Sequence, residues 1–305
     1  MAKKPTAPPA SDEKAPAKPA RKVTPGALAK ARIVAEAAGP SPSSDAAAPS
    51  FDTYAAAAAC DSLAALEALI PTCSACPRLR SYCQVVATEK TKRFASEEFW
   101  GRPVPGFGDP DARILIVGLA PAALGANRTG RLFTGDRSGD FLYAALHRVG
   151  LASQAESSAR GDGLTLRGVY ISAAGRCAPP DNRPTPEELT SCRAFLLREL
   201  ALLKDLRVVI VLGAIAHEAL LLSYPTPALE AEPPASASTP SKPAKRPKAV
   251  KFAHGATFPL PREPGLQALT LMDCYHVSQQ NTFTGLLTPA MLDQVLQQAR
   301  TLAQL

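Results

Sequence analysis

Four cysteines in two distant pairs are the first residues of this sequence that could do chemistry. Cys73 and Cys76 form a C-x2-C knuckle followed by Pro77, while Cys177 and Cys192 enclose fourteen residues that include Pro179, Pro180 and Pro184. Two such pairs supply four soft ligands for a tetrahedral S4 site. Spacing alone leaves zinc and an iron-sulfur cluster both open, zinc being the commoner occupant of a C-x2-C knuckle. Cys60, Cys83 and Cys274 lack this geometry. Cys83 and Cys274 read as small hydrophobic residues, and Cys60 sits at the edge of an N-terminal arm.

Two loops concentrate polar and glycine residues. The first runs Gly118-Leu-Ala-Pro-Ala-Ala-Leu-Gly-Ala-Asn-Arg-Thr-Gly-Arg and continues into Leu132-Phe-Thr-Gly-Asp-Arg-Ser-Gly-Asp. Small residues such as Gly118, Ala120 and Pro121 let a ligand approach the backbone closely. No Gly-Lys-Ser/Thr is present, so this is not a Walker phosphate loop, nor does it fit G-x-G-x-x-G. Asp136 and Asp140 precede a helical pattern, where each would serve as an N-cap or, for Asp136, as a catalytic carboxylate. Phe133 needs an apolar neighbour or a flat ligand. The second loop, Cys274-Tyr-His-Val-Ser-Gln-Gln-Asn-Thr-Phe-Thr-Gly, sets His276 just beyond a strand amid a dense group of donors. His147 and His217 fall in helical patterns and His254 borders a low-complexity stretch, so each reads as structural or solvated.

The elements that must position these loops alternate. Four β-branched runs, Ile114 to Gly118, Val169 to Ser172, Val208 to Leu212 and Leu269 to Met272, are apolar on both faces, as buried parallel strands are. Helical patterns occupy Ser62 to Ile70, Gly139 to Val149, Thr185 to Leu203, Ile215 to Leu222 and Thr288 to Ala303. The expected fold is a three-layer α/β/α domain around a four-stranded, mainly parallel sheet. In such open sheets ligands bind outside the carboxyl ends of the strands.

Composition bounds the rest. The chain has 305 residues, 46% of them hydrophobic, which is enough for one substantial core, but its 30 prolines exceed what a compact domain carries. Residues 1–58, rich in Ala, Pro and Lys, and residues 225–249, with the basic run Lys245 to Lys248, are expected to be disordered, leaving one domain over 59–305 with an internal insertion. Residues 1–59 carry 8 Lys and Arg against 5 Asp and Glu, and residues 225–251 carry 5 against 2, so of the net +7 only +1 remains for the folded part. A basic face toward a polyanion must therefore be local, or the flexible segments must supply it. No apolar run is long enough to span a membrane and no secretory leader is visible, so a monomeric cytoplasmic protein is expected.

Taken together, five segments resemble the uracil-DNA glycosylase superfamily, and most closely its iron-sulfur family 5: Cys73-Ser-Ala-Cys-Pro-Arg, Gly118-Leu-Ala-Pro-Ala, Gly130-Arg-Leu-Phe-Thr-Gly-Asp-Arg-Ser-Gly, Arg176-Cys-Ala-Pro-Pro-Asp-Asn-Arg-Pro-Thr-Pro and His276-Val-Ser-Gln-Gln-Asn-Thr-Phe-Thr-Gly. The resemblance implies a structural 4Fe-4S cluster on Cys73, Cys76, Cys177 and Cys192, with zinc the lesser candidate. It implies double- or single-stranded DNA carrying deaminated bases as partner, and excision of uracil and related bases by hydrolysis of the N-glycosidic bond after base flipping. Phe133 would stack on the extruded base, and Gly118, Ala120, Pro121, Ser172 and Asn281 would line its site. His276 would hydrogen-bond the base O2 as it becomes anionic, while Asp136 would position water or balance charge on the sugar. Ser278, Gln279 and Phe283 would press into the minor groove, and Arg128, Arg131 and Arg137 would contact phosphates. Three departures stand out. Ala120 and Ala122 flank Pro121 where several relatives carry an acid or amide, Val277 replaces the proline after the histidine, and Ala173 stands where the related iron-sulfur family has an asparagine that reads uracil. Ala173 and Val277 raise the alternative of a catalytically weak iron-sulfur DNA-binding protein on the same fold.

Overall fold

In the computed structural model, residues 51–222, 250–262 and 268–305 are described. Most of the expected arm and all of the expected insertion at 225–249 lie outside them. A helix over Thr53–Ala58 (α1) falls on the arm side of the boundary expected at 58; Asp52 caps it through Tyr54 N and Ala55 N.

One six-stranded sheet organises the domain, with β1 Phe107–Gly108, β2 Ile114–Gly118, β3 Val169–Ala173, β4 Val208–Leu212, β5 Thr257–Leu260 and β6 Leu269–Cys274 in the order β1-β3-β2-β4-β6-β5. The four strands expected from sequence are its parallel centre, in register at Ile116 with Ile171 and Ile210, and at Ile210 with Met272. The expected count of four omits two edge strands, both antiparallel. Neither has a β-branched run to betray it: β1 has two residues, and β5 reads Thr-Phe-Pro-Leu, with a proline that only an edge tolerates.

Alternation along the central strands feeds two layers. Ile114, Ile116, Ile171 and Ile210 face Leu142, Tyr143 and Leu146 of α5 (Arg137–Arg148; α4 is the short helix Ala126–Thr129) and Leu292, Val295 and Leu296 of α9 (Pro289–Ala303). Leu115, Val117, Val209 and Val211 face the opposite way, toward Leu63 of α2 (Leu63–Leu69), Leu196 and Leu200 of α6 (Pro186–Leu202) and Leu220 of α7 (Ala214–Leu221). Helix starts follow local chemistry: Thr185 and Glu188 close a capping box ahead of Pro186, and Thr288 caps α9 ahead of Pro289. Among the described residues no helix is long and apolar enough to cross a membrane.

Where the chain resumes at residue 250, it is clamped. His217 Nδ1 lies 2.7 Å from Asp273 Oδ1, its Nε2 lies 3.1 Å from Val250 O, and Ala253 N donates to Asp273 Oδ2 at 3.0 Å. Both side chains are fully buried, so His217 is structural, as its helical setting implied. His254 stacks on Tyr275 with ring centroids 4.7 Å apart and accepts a hydrogen bond from Tyr275 N.

Candidate active site

The carboxyl ends of β2, β3 and β6 open into a cavity whose floor holds about 50 Å³ and is lined by Gly118, Ala120, Pro121, Ala122, Leu132, Phe133, Asp136, Ser138, Ala173 and His276. An outer chamber of about 670 Å³ shares Ala120, Pro121, Ala122, Asp136, Ser138 and His276 and widens toward Asn182, Ile215, Phe252, Tyr275, Ser278, Gln279 and Asn281. That volume is ordinary for a small-molecule or base-sized ligand.

Each wall has a local cause. Gly118 ends β2 without a side chain, and a Cβ there would stand 2.7 Å from Phe133 Cζ, so the ring lies directly over the strand end. Phe133 has φ 52, a left-handed conformation that costs a bulky residue on the order of 1–3 kcal/mol unless its surroundings impose it. They do. Arg131 donates to Asp162 at 2.9 and 2.6 Å, to Thr134 Oγ1 at 3.0 Å and to Ser157 Oγ at 2.8 Å. Thr134 and Ser157 hydroxyls sit 2.6 Å apart, and Tyr143 donates to Leu132 O at 3.0 Å. A side chain at Gly139 would collide with the Phe133 carbonyl, so glycine opens that approach.

Asp136 holds two positions at once. Its Oδ1 accepts from Ser138 N at 2.9 Å and Gly139 N at 3.1 Å as the N-cap of α5. The other oxygen lies against Gly125, where any Cβ would strike it, and it makes no hydrogen bond among the described residues. Burial raises the Asp136 pKa above the usual carboxylate value, opposed by the two backbone donors. His276 enters from the end of β6, with its Cβ packed against Gly213, whose φ of 94 suits glycine. Asn281 Nδ2 donates to His276 O at 2.8 Å, and burial lowers the imidazole pKa. The ring is therefore neutral at neutral pH and presents one N–H donor. Its nitrogens make no hydrogen bond among the described residues.

The structure thus brings Gly118, Ala120, Pro121, Phe133, Asp136 and His276 to one cavity, with Ser278, Gln279 and Asn281 at its mouth. Phe283, on α8 (Gln279–Phe283), is 68% exposed, and Arg137 lies over its ring at 5.6 Å. Three expectations need correction. Ser172 points to the opposite layer, where its hydroxyl bonds Glu199 at 2.5 Å and accepts from Arg176 at 2.9 Å; strand alternation gives the cavity to its neighbour Ala173 instead. Arg131 is buried on Asp162. Arg128 is spent on Glu97, Leu124 O and Gly135 O. Neither guanidinium is free for a phosphate. Ser138, Phe252 and Tyr275 also line the site; Ser138 shares the segment that marked Asp136, while nothing in the sequence pointed to the aromatic pair.

Cys73, Cys177 and Cys192 are buried and Cys76 is partly so. Burial, reinforced by the neighbouring thiols, pushes Cys76 and Cys192 up to about 12. Cys73, Cys177 and Cys192 all act on Cys76, so the four gather from three segments. Arg176 N donates to Cys192 Sγ at 3.4 Å, and Cys76 sits at the N-terminus of α3 (Pro77–Thr88), both settings that favour thiolate. Among the described residues, no three His, Cys, Asp or Glu side chains are drawn tightly enough to hold a single metal ion. A fifth thiol, Cys83, lies beside Cys177 and donates to Ala178 O at 3.6 Å, a neighbourhood its helical spacing did not announce.

A parallel sheet with a cavity at its strand ends, walled by an aromatic ring, a carboxylate and a neutral histidine, matches the sequence profile of the Uracil DNA glycosylase superfamily over residues 105–300, and the chain belongs to that family. Within it the chain is similar to the Type-5 uracil-DNA glycosylase of Thermus thermophilus, 49% identical over 242 residues that cover 78% of this chain and 99% of the relative. The Type-5 uracil-DNA glycosylase of Mycobacterium tuberculosis is 47% identical over 239 residues, covering 78% and 81%. A Type-4 uracil-DNA glycosylase of Pyrobaculum aerophilum is 37% identical over 119 residues, covering only 39% and 53%. The resemblance to family 5 drawn from the motifs holds across most of the chain.

Proposed function

We propose that this chain is a DNA repair glycosylase that hydrolyses the N-glycosidic bond of uracil, and of other deaminated bases, leaving an abasic site. The observation that carries the chemistry is the single cavity shared by Phe133, Asp136 and His276. An extruded base would lie under the Phe133 ring, with backbone groups of Gly118 to Ala122 along its edge. Breaking the C1′–N bond leaves the bonding pair on the base, whose O2 becomes anionic, while positive charge builds on the sugar. The neutral His276 imidazole donates its N–H to that oxygen, an interaction stronger in the transition state than in the ground state. The uncommitted oxygen of Asp136 accepts a proton from water directed at C1′ and offsets the sugar's charge. Water supplies OH to the sugar and, in total, H to the base.

Cys73, Cys76, Cys177 and Cys192 would hold a 4Fe-4S cluster, which when bound cross-links distant segments rather than taking part in the reaction. The resemblance of these cysteine motifs to the iron-sulfur family 5 carries the choice of cluster over zinc, for their spacing suits either. Ala173 and Val277 do not favour the catalytically weak alternative. Ala173 forms cavity floor, which widens what fits, and Val277 is fully buried, which anchors the turn without proline. A monomer acting on double- or single-stranded DNA in the cytoplasm follows from this reading.

Incubating the protein with a labelled uracil-containing duplex, then alkali, tests the proposal. Strand scission at the uracil with release of free base is expected; intact strands for uracil, hypoxanthine and xanthine alike would overturn it.

A further inference from the structure

Of the three cations that the sequence offered to DNA phosphates, Arg128 and Arg131 are spent on carboxylates, while Arg137 is exposed and lies over the Phe283 ring. Besides Arg128 and Arg131, Arg78, Arg148 and Arg176 are paired, with Glu188, Asp293 and Glu199 respectively. Two exposed guanidiniums behave differently. Arg102 and Arg160, 58 residues apart in the chain, both stack on the indole of Trp100, with centres 4.2 and 4.5 Å from the ring centroid. Their charges therefore lie within about 9 Å of each other. Neither makes a hydrogen bond or ion pair among the described residues; Glu67, on which Arg160 acts from a distance, is itself hydrogen-bonded to Tyr170. Like charges held this close want an anion between or above them.

The backbone at Trp100 is tied to the loop that carries Phe133. Trp100 N donates to Arg128 O and Gly101 N to Asn127 O, both at 2.9 Å. Gly130 lies beneath the indole, where a Cβ would stand 2.8 Å from Trp100 Cδ2, and three residues of chain, at most about 11 Å, separate Gly130 from Phe133. That is the span of one or two nucleotides along a strand. With their centres over the indole and no hydrogen-bond partner among the described residues, both guanidiniums keep N–H donors available to a tetrahedral oxyanion.

We propose that Trp100, Arg102 and Arg160 form a phosphate clamp that grips the DNA backbone beside the extruded base. The inference rests on the reading that this chain acts on DNA. Each guanidinium that neutralises a phosphate adds about 0.9 to the slope of log affinity against log salt, so the pair adds roughly 2.

Binding of the full chain to a fluorescent duplex without uracil, measured between 50 and 200 mM salt, is the test. Combining Arg102→Gln with Arg160→Gln should flatten the slope by roughly 2 and weaken binding about tenfold at the lowest salt. Combining Arg102→Lys with Arg160→Lys should restore the slope, because counterion release counts charge. Arg148→Gln, which removes a cation already paired with Asp293, should leave it as in the unaltered chain. A glutamine pair with the original slope, or a lysine pair as flat as the glutamine pair, would overturn the clamp. Uracil excision by the unaltered chain is scored alongside: its absence would strike the glycosylase reading, while a changed slope would still report a DNA contact.

Discussion

The two loops that face each other across the cavity are held in opposite ways. The 118–136 loop carries a strained residue, Phe133, and pins it with a buried ion pair, a hydroxyl pair and a tyrosine. The 276–285 loop is anchored at its root by buried Val277 and by Asn281 on His276 O, but α8 buries no residue and leaves Phe283 and Leu286 in solvent. One wall is pinned by buried contacts, and the other is held at its root alone. Under the proposed function, buried contacts are concentrated at the wall proposed to stack on the base, and exposure at the loop proposed to meet the duplex.

Breaking the rigid wall should have the largest effect. Arg131→Ala removes the guanidinium that joins Asp162, Thr134 and Ser157 and should cost about 3 kcal/mol in chemical denaturation, although Asp162 keeps its backbone donors. Although burial alone would raise the Asp162 pKa, hydrogen bonds from Arg131 and from backbone N–H groups hold it well below the usual carboxylate value. A depressed folded-state pKa gives stability that is present above the unfolded value and lost as pH falls through the folded one. Asp162→Asn should therefore flatten the acid limb of the stability curve, and an unchanged limb would remove this pair from the account.

Next in size is the chemical donor. His276→Ala should slow single-turnover excision about a hundredfold or more, as the loss of one transition-state hydrogen bond does, with little change in melting temperature. An unaltered rate would take His276 out of the mechanism. Asp136 sharpens the same contrast through pH. Because burial raises its pKa above 3.8, the excision rate should fall on acidification at a pH above that value, as protonation removes the acceptor for water. Asp136→Asn should be slow at every pH and lack that limb. The smallest effect belongs to the free loop: Phe283→Ala should weaken binding to uracil-containing duplex only a few-fold and leave stability within about 0.5 kcal/mol, since little is buried there. A large loss of stability would mean that α8 is as tightly held as the opposite wall.

Much of this could be read from the chain because the central strands are uniformly apolar and the loops after them are not. Val208 to Leu212 announces a buried parallel strand by composition alone, and His276 stands two residues past the end of β6, the next such run. The same uniformity hid direction: with both faces of β3 apolar, no pattern told Ser172 from Ala173, and the wrong one was expected in the cavity. Arginine is usually exposed, so Arg131 was offered to solvent; its partner Asp162 lies 31 residues away, a pairing no local pattern encodes. The positive φ of Phe133 was equally silent, for it is imposed by Gly139 and by buried hydroxyls rather than by a residue that prefers it.

The clamp of His217 and Asp273 on Val250 and Ala253 has a practical corollary. It fastens both the departing helix and the returning chain to β6 before the polypeptide reaches Tyr275 and His276, so a change of length within residues 223–249 should leave His276 in place. A reporter domain or affinity tag could be spliced there, and the segment could vary in length among relatives, without retuning the chemistry a few residues downstream.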